Sequence, residues 1–133
     1  MKKITEEWLK SARDDLLVIE KIIDSEYLTH IVAFHAQQAI EKAIKAIMEE
    51  TNIDIPKIHN LLTLFVRIEG NTSYSVDQDL LKTLDALYID SRYPGDFGLL
   101  PNGKPDLEDA QIFFREAREL YEAIKKELSE KTG

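Results

Sequence analysis

One uninterrupted helical pattern near the middle of the chain constrains the fold more than any other feature of the sequence. The segment 31–48 reads IVAFHAQQAIEKAIKAIM and contains neither glycine nor proline. Helical spacing places seven apolar side chains on one broad face: Val32, Ala36, Ala39, Ile40, Ala43, Ile44 and Ile47. The alanines among them let a neighbouring backbone come close. The pattern therefore predicts a core-facing helix around which the rest of the chain packs.

Four other stretches have the same periodicity, and none reads as a convincing strand. Asn60, Asp106 and Thr5 are the predicted N-caps of three helices, while Ser75 and Gln78 form a capping box, S-x-x-Q, before another. Short connections favour antiparallel neighbours, so the predicted fold class is all-α, an antiparallel bundle of four to five helices. The predicted helices cover 5–24, 27–50, 61–69, 75–91 and 106–128, and the tail 129–133 is expected to fray.

Length and composition fit a single globular domain over 1–133. Hydrophobic residues make up 44% of the 133 residues and charged residues 32%. No apolar run approaches the ~20 residues that cross a bilayer, and the start lacks a secretory-signal core. Because there is no cysteine, disulfides and thiolate metal sites are excluded, and a cytoplasmic location away from membranes is expected. The net charge of −8 argues against nucleic-acid binding over the whole surface but leaves room for a local basic pocket.

Polar side chains line one flank of the central helix. His35, Gln38 and Lys42 are spaced i, i+3 and i+7, so they would present an imidazole, an amide and an ammonium group to one ligand. A structural interpretation stays open beside this one. In it, Gln38 with Lys42 and Glu41 with Lys45 are ordinary surface neighbours, and His35 lies at the margin of the core.

Two other polar residues receive structural interpretations. Asp15 is expected to face away from the buried stripe of the first helix, together with its charged neighbours. His59, which stands just before the third helix, is expected to be a local backbone hydrogen-bond partner.

The segment 92–105, RYPGDFGLLPNGKP, is the one long irregular stretch. It holds three of the four prolines and three of the five glycines. A connection of this length in a compact domain is often functional. The alternative is a surface loop whose Phe97, Leu99 and Leu100 pack onto the bundle or onto a partner.

Several motifs with a known chemistry are absent. The sequence contains neither G-x-x-x-x-G-K-[ST] nor G-x-G-x-x-G after a strand, so it lacks the usual phosphate-binding loops. It also lacks H-E-x-x-H and the Glu-x-x-His pattern of di-iron bundles. We therefore predict neither a cofactor nor a metal.

Four patches together resemble a known family. They are Trp8 with Ala12 and Asp15-Leu16, FHAQQAIEKAIKA over 34–46, His59 followed by Leu61, and RYP over 92–94. These patches are similar to those of the HEPN domain superfamily, and the resemblance covers roughly 7–128. The F-H-A-Q-Q-A-x-E-K string is the most specific of them.

The resemblance implies a bundle of four or five helices, similar to nucleotidyltransferase substrate-binding helical domains and usually dimeric. It also implies frequent pairing with a small nucleotidyltransferase encoded next door, in many cases as a toxin–antitoxin pair. Some members are metal-independent ribonucleases whose R-x(4–6)-H motif brings Arg and His from two protomers together. That motif is absent here, because no histidine follows His59.

With the resemblance, the predicted ligand-binding residues are His35, Gln38, Lys42, Arg92 and Tyr93. Arg92 is expected to meet a phosphate, because its planar fork suits that group, and Tyr93 to stack on a base. The leading interpretation is a homodimeric module that binds a nucleotide or a nucleotidyltransferase. One alternative is a ribonuclease toxin with a non-standard site made of Arg92 and His35, which would bind RNA. Another is a purely structural helical interaction domain.

Overall fold

Five α-helices make up most of the part of the chain that the structure describes. The computed structural model describes residues 1–91 and 104–132, and side chains over 1–88 and 104–130. This part of the chain contains no strand, and a single 3-10 turn, Glu69–Asn71, follows the third helix. The predicted all-α helical bundle is therefore confirmed. The helices are α1 (Lys3–Ile22), α2 (Thr29–Glu50), α3 (Leu61–Ile68), α4 (Gln78–Ser91) and α5 (Leu107–Thr132).

Helix α2 lies at the centre and contacts each of the other four helices. All seven apolar residues predicted for its core face are buried. Burial of a large aliphatic side chain such as Ile40 or Ile44, both 0% exposed, contributes about 1.5–3 kcal/mol. Buried positions also include Gln37 and Glu41. The fold therefore encloses polar side chains of α2 as well as apolar ones.

Two of the predicted N-caps are confirmed. The Asn60 side chain accepts a hydrogen bond from the Thr63 amide at 2.9 Å. Asp106 and Asp109 cap α5 reciprocally, because the amide of each residue donates to the carboxylate of the other, at 3.1 and 2.7 Å. Such a pair satisfies two amides that the helix itself leaves without acceptors.

The predicted N-terminal caps of two other helices, α1 and α4, are wrong. Thr5 lies inside α1 and is buried, and its hydroxyl donates to Glu50 at the end of α2 (2.9 Å). Helix α4 begins after Asp77, whose carboxylate accepts from the Leu80 amide at 3.1 Å. An aspartate immediately before the helix thus takes the role predicted for Ser75, two residues earlier.

Two helix boundaries also differ from the prediction. Helix α2 begins at Thr29, two residues after the predicted start, and α5 continues to Thr132, into the tail that was expected to fray. Residues 92–103 lie outside the described part of the chain. Pro105, the last residue of the predicted irregular stretch, is buried, and its carbonyl accepts a hydrogen bond from the Thr29 hydroxyl at 2.6 Å. None of the described helices has the length and apolarity that crossing a membrane requires.

Candidate functional site

A buried carboxylate on α1 joins two of the predicted site residues. Asp15 is 7% exposed. Its Oδ1 lies 2.8 Å from His35 Nδ1, and its Oδ2 lies 2.8 Å from Lys42 Nζ. The prediction that Asp15 faces away from the core is wrong, because its charge is compensated by two side chains of the neighbouring helix α2. We call these three residues the Asp15 cluster.

The Asp15 cluster fixes the orientation of the His35 ring. A carboxylate paired with Lys42 can only accept hydrogen bonds, so Nδ1 of His35 carries a proton. In the neutral ring, Nε2 is then left as the acceptor, which is the arrangement that a general base or a ligand-binding imidazole requires. The Phe34 ring meets the imidazole edge-on, with centroids 5.2 Å apart, and so supports it from one side.

A second buried carboxylate repeats this arrangement on the other side of α2. Glu41 is 5% exposed. Its Oε2 lies 3.0 Å from Lys45 Nζ, and its Oε1 lies 3.1 Å from His59 Nδ1. The expectation that Glu41 and Lys45 are ordinary surface neighbours is wrong for Glu41, and His59 is more than a local backbone partner. We call these residues the Glu41 cluster.

Two glutamines extend the Glu41 cluster. Gln38 donates to the Gln37 side-chain oxygen at 2.7 Å. The buried Gln37 in turn donates to Glu41 at 3.4 Å and to the His59 carbonyl at 3.3 Å. Gln38 is therefore held on the Glu41 side rather than by Asp15. His35, Gln38 and Lys42 are all partly exposed on α2, but hydrogen bonds place Gln38 with the Glu41 cluster and the other two with Asp15.

Asp85, on α4, adds a third buried carboxylate beside the Glu41 cluster. It is 9% exposed, and its Oδ2 accepts from the Leu61 amide at the start of α3 at 2.9 Å. Oδ1 is buried with no hydrogen bond to any of the described residues. Burial raises the pKa of Asp85 to about 6; the Leu61 amide and the Gln37 side chain oppose this rise, and the Glu41 charge adds to it.

Aromatic rings link the end of α4 to this face. Tyr88 stacks on Phe34 with centroids 5.7 Å apart and lies 6.1 Å from the His59 ring. Tyr88 therefore sits between the two imidazole-bearing regions. Arg92 and Tyr93, which follow four and five residues later, lie outside the described residues.

Sequence reasoning had no means of finding these partners. His35, Lys42 and His59 meet their carboxylates across separations of 20, 27 and 18 residues. Helical spacing shows only which residues share a face of one helix. The described residues also contain no group of three or more His, Cys, Asp or Glu that could hold a metal ion.

Comparison with known proteins places the chain in a family. The sequence model of the HEPN domain matches residues 5–128. This chain is a HEPN domain protein. The resemblance noted in the sequence is thereby confirmed.

Individual relatives agree with this assignment. The HEPN chain is 30% identical to the putative toxin MJ1304 of Methanocaldococcus jannaschii, over 95% of this chain and 89% of that protein. Its fold is similar to the crystal structure of TT1696 from Thermus thermophilus, with a TM-score of 0.77 at 22% identity, covering 95% and 99% of the two chains. It also matches ST0689, an archaeal HEPN homologue, with a TM-score of 0.70 at 26% identity, covering 95% and 98%.

Proposed function

We propose that this protein is a toxin-like HEPN module that binds a nucleotide or a nucleotidyltransferase partner through the partly exposed side of α2 that carries His35, Gln38 and Lys42. The Asp15 cluster is the observation that carries the proposal, because one carboxylate holds two predicted site residues, His35 and Lys42, in fixed positions. The likeness to a putative toxin supports the toxin-like role. A cytoplasmic homodimer is part of the same proposal.

Each proposed ligand contact has a chemical role. His35 offers Nε2, and Gln38 offers an amide. Lys42 contributes positive charge, which its ion pair with Asp15 partly compensates. Arg92 supplies a planar guanidinium for phosphate, and Tyr93 supplies a ring for a base. Their inclusion is supported by Tyr88, four residues before Arg92 in the sequence, which stacks on Phe34 beside His35.

A metal-independent ribonuclease is the second candidate, and the orientation of His35 favours it. An imidazole whose Nδ1 is bound to a carboxylate is well placed to take a proton at Nε2, here from a 2′-hydroxyl. Arg92 would then stabilise charge on the phosphate. A purely structural role is favoured by a different observation, namely that Lys42 and Lys45 both pair with internal carboxylates.

The test is a thermal-shift and binding titration of the purified protein with ATP, GTP, short RNA and a small nucleotidyltransferase, taken from the neighbouring gene if one is encoded there. A ligand that binds only the folded state stabilises it by about 2.7 kcal/mol at a hundredfold excess over Kd. We expect the shift to disappear in Arg92→Ala and His35→Ala. It should persist in Lys82→Ala, which removes an exposed charge from α4.

The outcomes separate the candidates. Binding that is lost in both variants without RNA cleavage supports the binding module. Cleavage in the presence of a chelator, lost in both variants, supports the ribonuclease. If neither nucleotides, RNA nor the nucleotidyltransferase bind at micromolar concentration, the proposal is wrong and the structural role remains.

A further inference from the structure

A separate groove lies between α1 and α5, on the flank of α1 that does not face α2. It encloses about 340 Å³, a volume within the range of small-molecule sites. Leu16, Leu17, Phe114 and Tyr121 supply apolar surface in it. Arg13, two residues from Asp15, lines this groove, so one helix serves two different surfaces.

Three basic side chains converge on the groove: Arg13, Arg118 and Lys125. None of them makes an ion pair with any described residue, although acidic residues outnumber basic ones 25 to 17 in the sequence. The Arg118 guanidinium lies 5.1 Å from the Phe114 ring centroid, and the Lys125 ammonium lies 5.9 Å from that of Tyr121. These cation–π contacts hold the charges over apolar walls and leave their hydrogen-bond donors available.

Tyr121 adds a neutral donor to this set. The residue is 4% exposed, and burial raises the pKa of its hydroxyl, an effect that Arg13 opposes and Glu122 reinforces. The hydroxyl therefore keeps its proton at neutral pH.

We propose that the α1–α5 groove binds a multiply charged phosphate group. Two guanidinium forks match phosphate oxygens in pairs, and the three cations outnumber the two carboxylates that line the groove, which leaves its charge net positive. Glu20 and Glu122 also border the groove. They are placed to accept hydrogen bonds from hydroxyl groups next to the phosphate, which favours a phosphorylated sugar over a simple inorganic anion.

The binding test uses calorimetric titration with pyrophosphate, ATP and adenosine. We expect pyrophosphate and ATP to bind and adenosine not to bind. Arg13→Ala and Arg118→Ala should each weaken binding about tenfold or more. Lys82→Ala is the matched control for loss of a surface charge and should leave the affinity unchanged, because Lys82 is exposed on α4.

Glu122→Gln gives the sharper readout, measured with pyrophosphate. Because pyrophosphate has no hydroxyl-bearing sugar, removing a nearby negative charge should only strengthen its binding. A purely structural role for the basic residues predicts no such gain. The proposal is overturned if Glu122→Gln leaves the affinity unchanged, if both arginine variants bind normally, or if pyrophosphate does not bind at millimolar concentration.

Two further comparisons identify the source of the phosphate and the site that is occupied. The first compares RNA that carries a 5′-phosphate with the same RNA carrying a 5′-hydroxyl. Tighter binding of the phosphorylated RNA indicates that the phosphate comes from an RNA end. Equally weak binding of both RNAs indicates that it comes from a free phosphorylated compound. His35→Ala, which alters the proposed α2 site, should leave groove binding intact. Failure of one proposal therefore does not imply failure of the other.

Discussion

Replacement of Asp15 by alanine tests the Asp15 cluster, on which the proposed site depends. The carboxylate accepts from His35 and from Lys42, both at 2.8 Å, and is itself only 7% exposed. The variant loses both hydrogen bonds at once. It also leaves the ammonium of Lys42 in a partly buried position without its counter-charge.

The expected loss follows from the burial of the partners. A hydrogen bond to a charged group contributes about 1.5–3 kcal/mol, and breaking a buried ion pair costs about 3–5 kcal/mol. The side chains of His35 and Lys42 are 23% and 22% exposed, so water can replace part of the lost interaction. We therefore expect the free energy of unfolding to fall by about 2–3 kcal/mol, which lowers Tm by about 7–10 °C in a chain of this length.

The assay is urea unfolding followed by circular dichroism. Asp14→Ala is the matched control, because Asp14 is the exposed neighbour on the same helix, and its loss should cost less than about 0.5 kcal/mol. The double variant Asp15→Ala with Lys42→Met should be less destabilised than the sum of the single variants by about 1 kcal/mol. If Asp15→Ala costs no more than Asp14→Ala, the carboxylate is not organising the site and the reasoning is refuted.

Three further predictions test other parts of the fold. The pKa of Asp85 is raised to about 6 in the folded protein, so the folded state binds more protons than the unfolded state between about pH 4 and pH 6. This residue's contribution to stability therefore falls as pH rises through that window. Asp85→Asn should remove this pH dependence from the urea unfolding midpoints, and an unchanged pH dependence would contradict the prediction. Ile40→Ala should cost about 2–5 kcal/mol in the same unfolding assay, since Ile40 is 0% exposed, and a loss under about 1 kcal/mol would argue against its place in the core. Asp106→Ala should cost about 1 kcal/mol by removing the reciprocal cap of α5, while Glu108→Ala, an exposed neighbour, should cost less.

The helices themselves could be predicted from the sequence. Their apolar periodicity is a local property, and it correctly placed the buried face of α2. Caps were predictable where the capping side chain had no competitor, as at Asn60 and Asp106. They were mispredicted where another residue took the role or where tertiary contacts held the residue inside a helix, as happened at Thr5, which bonds Glu50.

The polar organisation of the candidate site could not be predicted in the same way. Spacing identified His35, Gln38 and Lys42 as neighbours on α2, but it assigned Asp15 to solvent and gave His59 only a local role. Both assignments failed because the partners lie on other helices and come close only when the bundle packs.

The sequence by itself determined the fold class and the family of this protein, because helix formation and the direction of each apolar face depend on residues within a few turns of one another. Only the tertiary structure decided which carboxylate meets which imidazole, and that the two flanks of α1 serve different surfaces. Those contacts depend on how each helix is rotated and placed against its neighbours. An apolar stripe fixes which side of a helix is buried, but it does not specify the polar group that lies beside it.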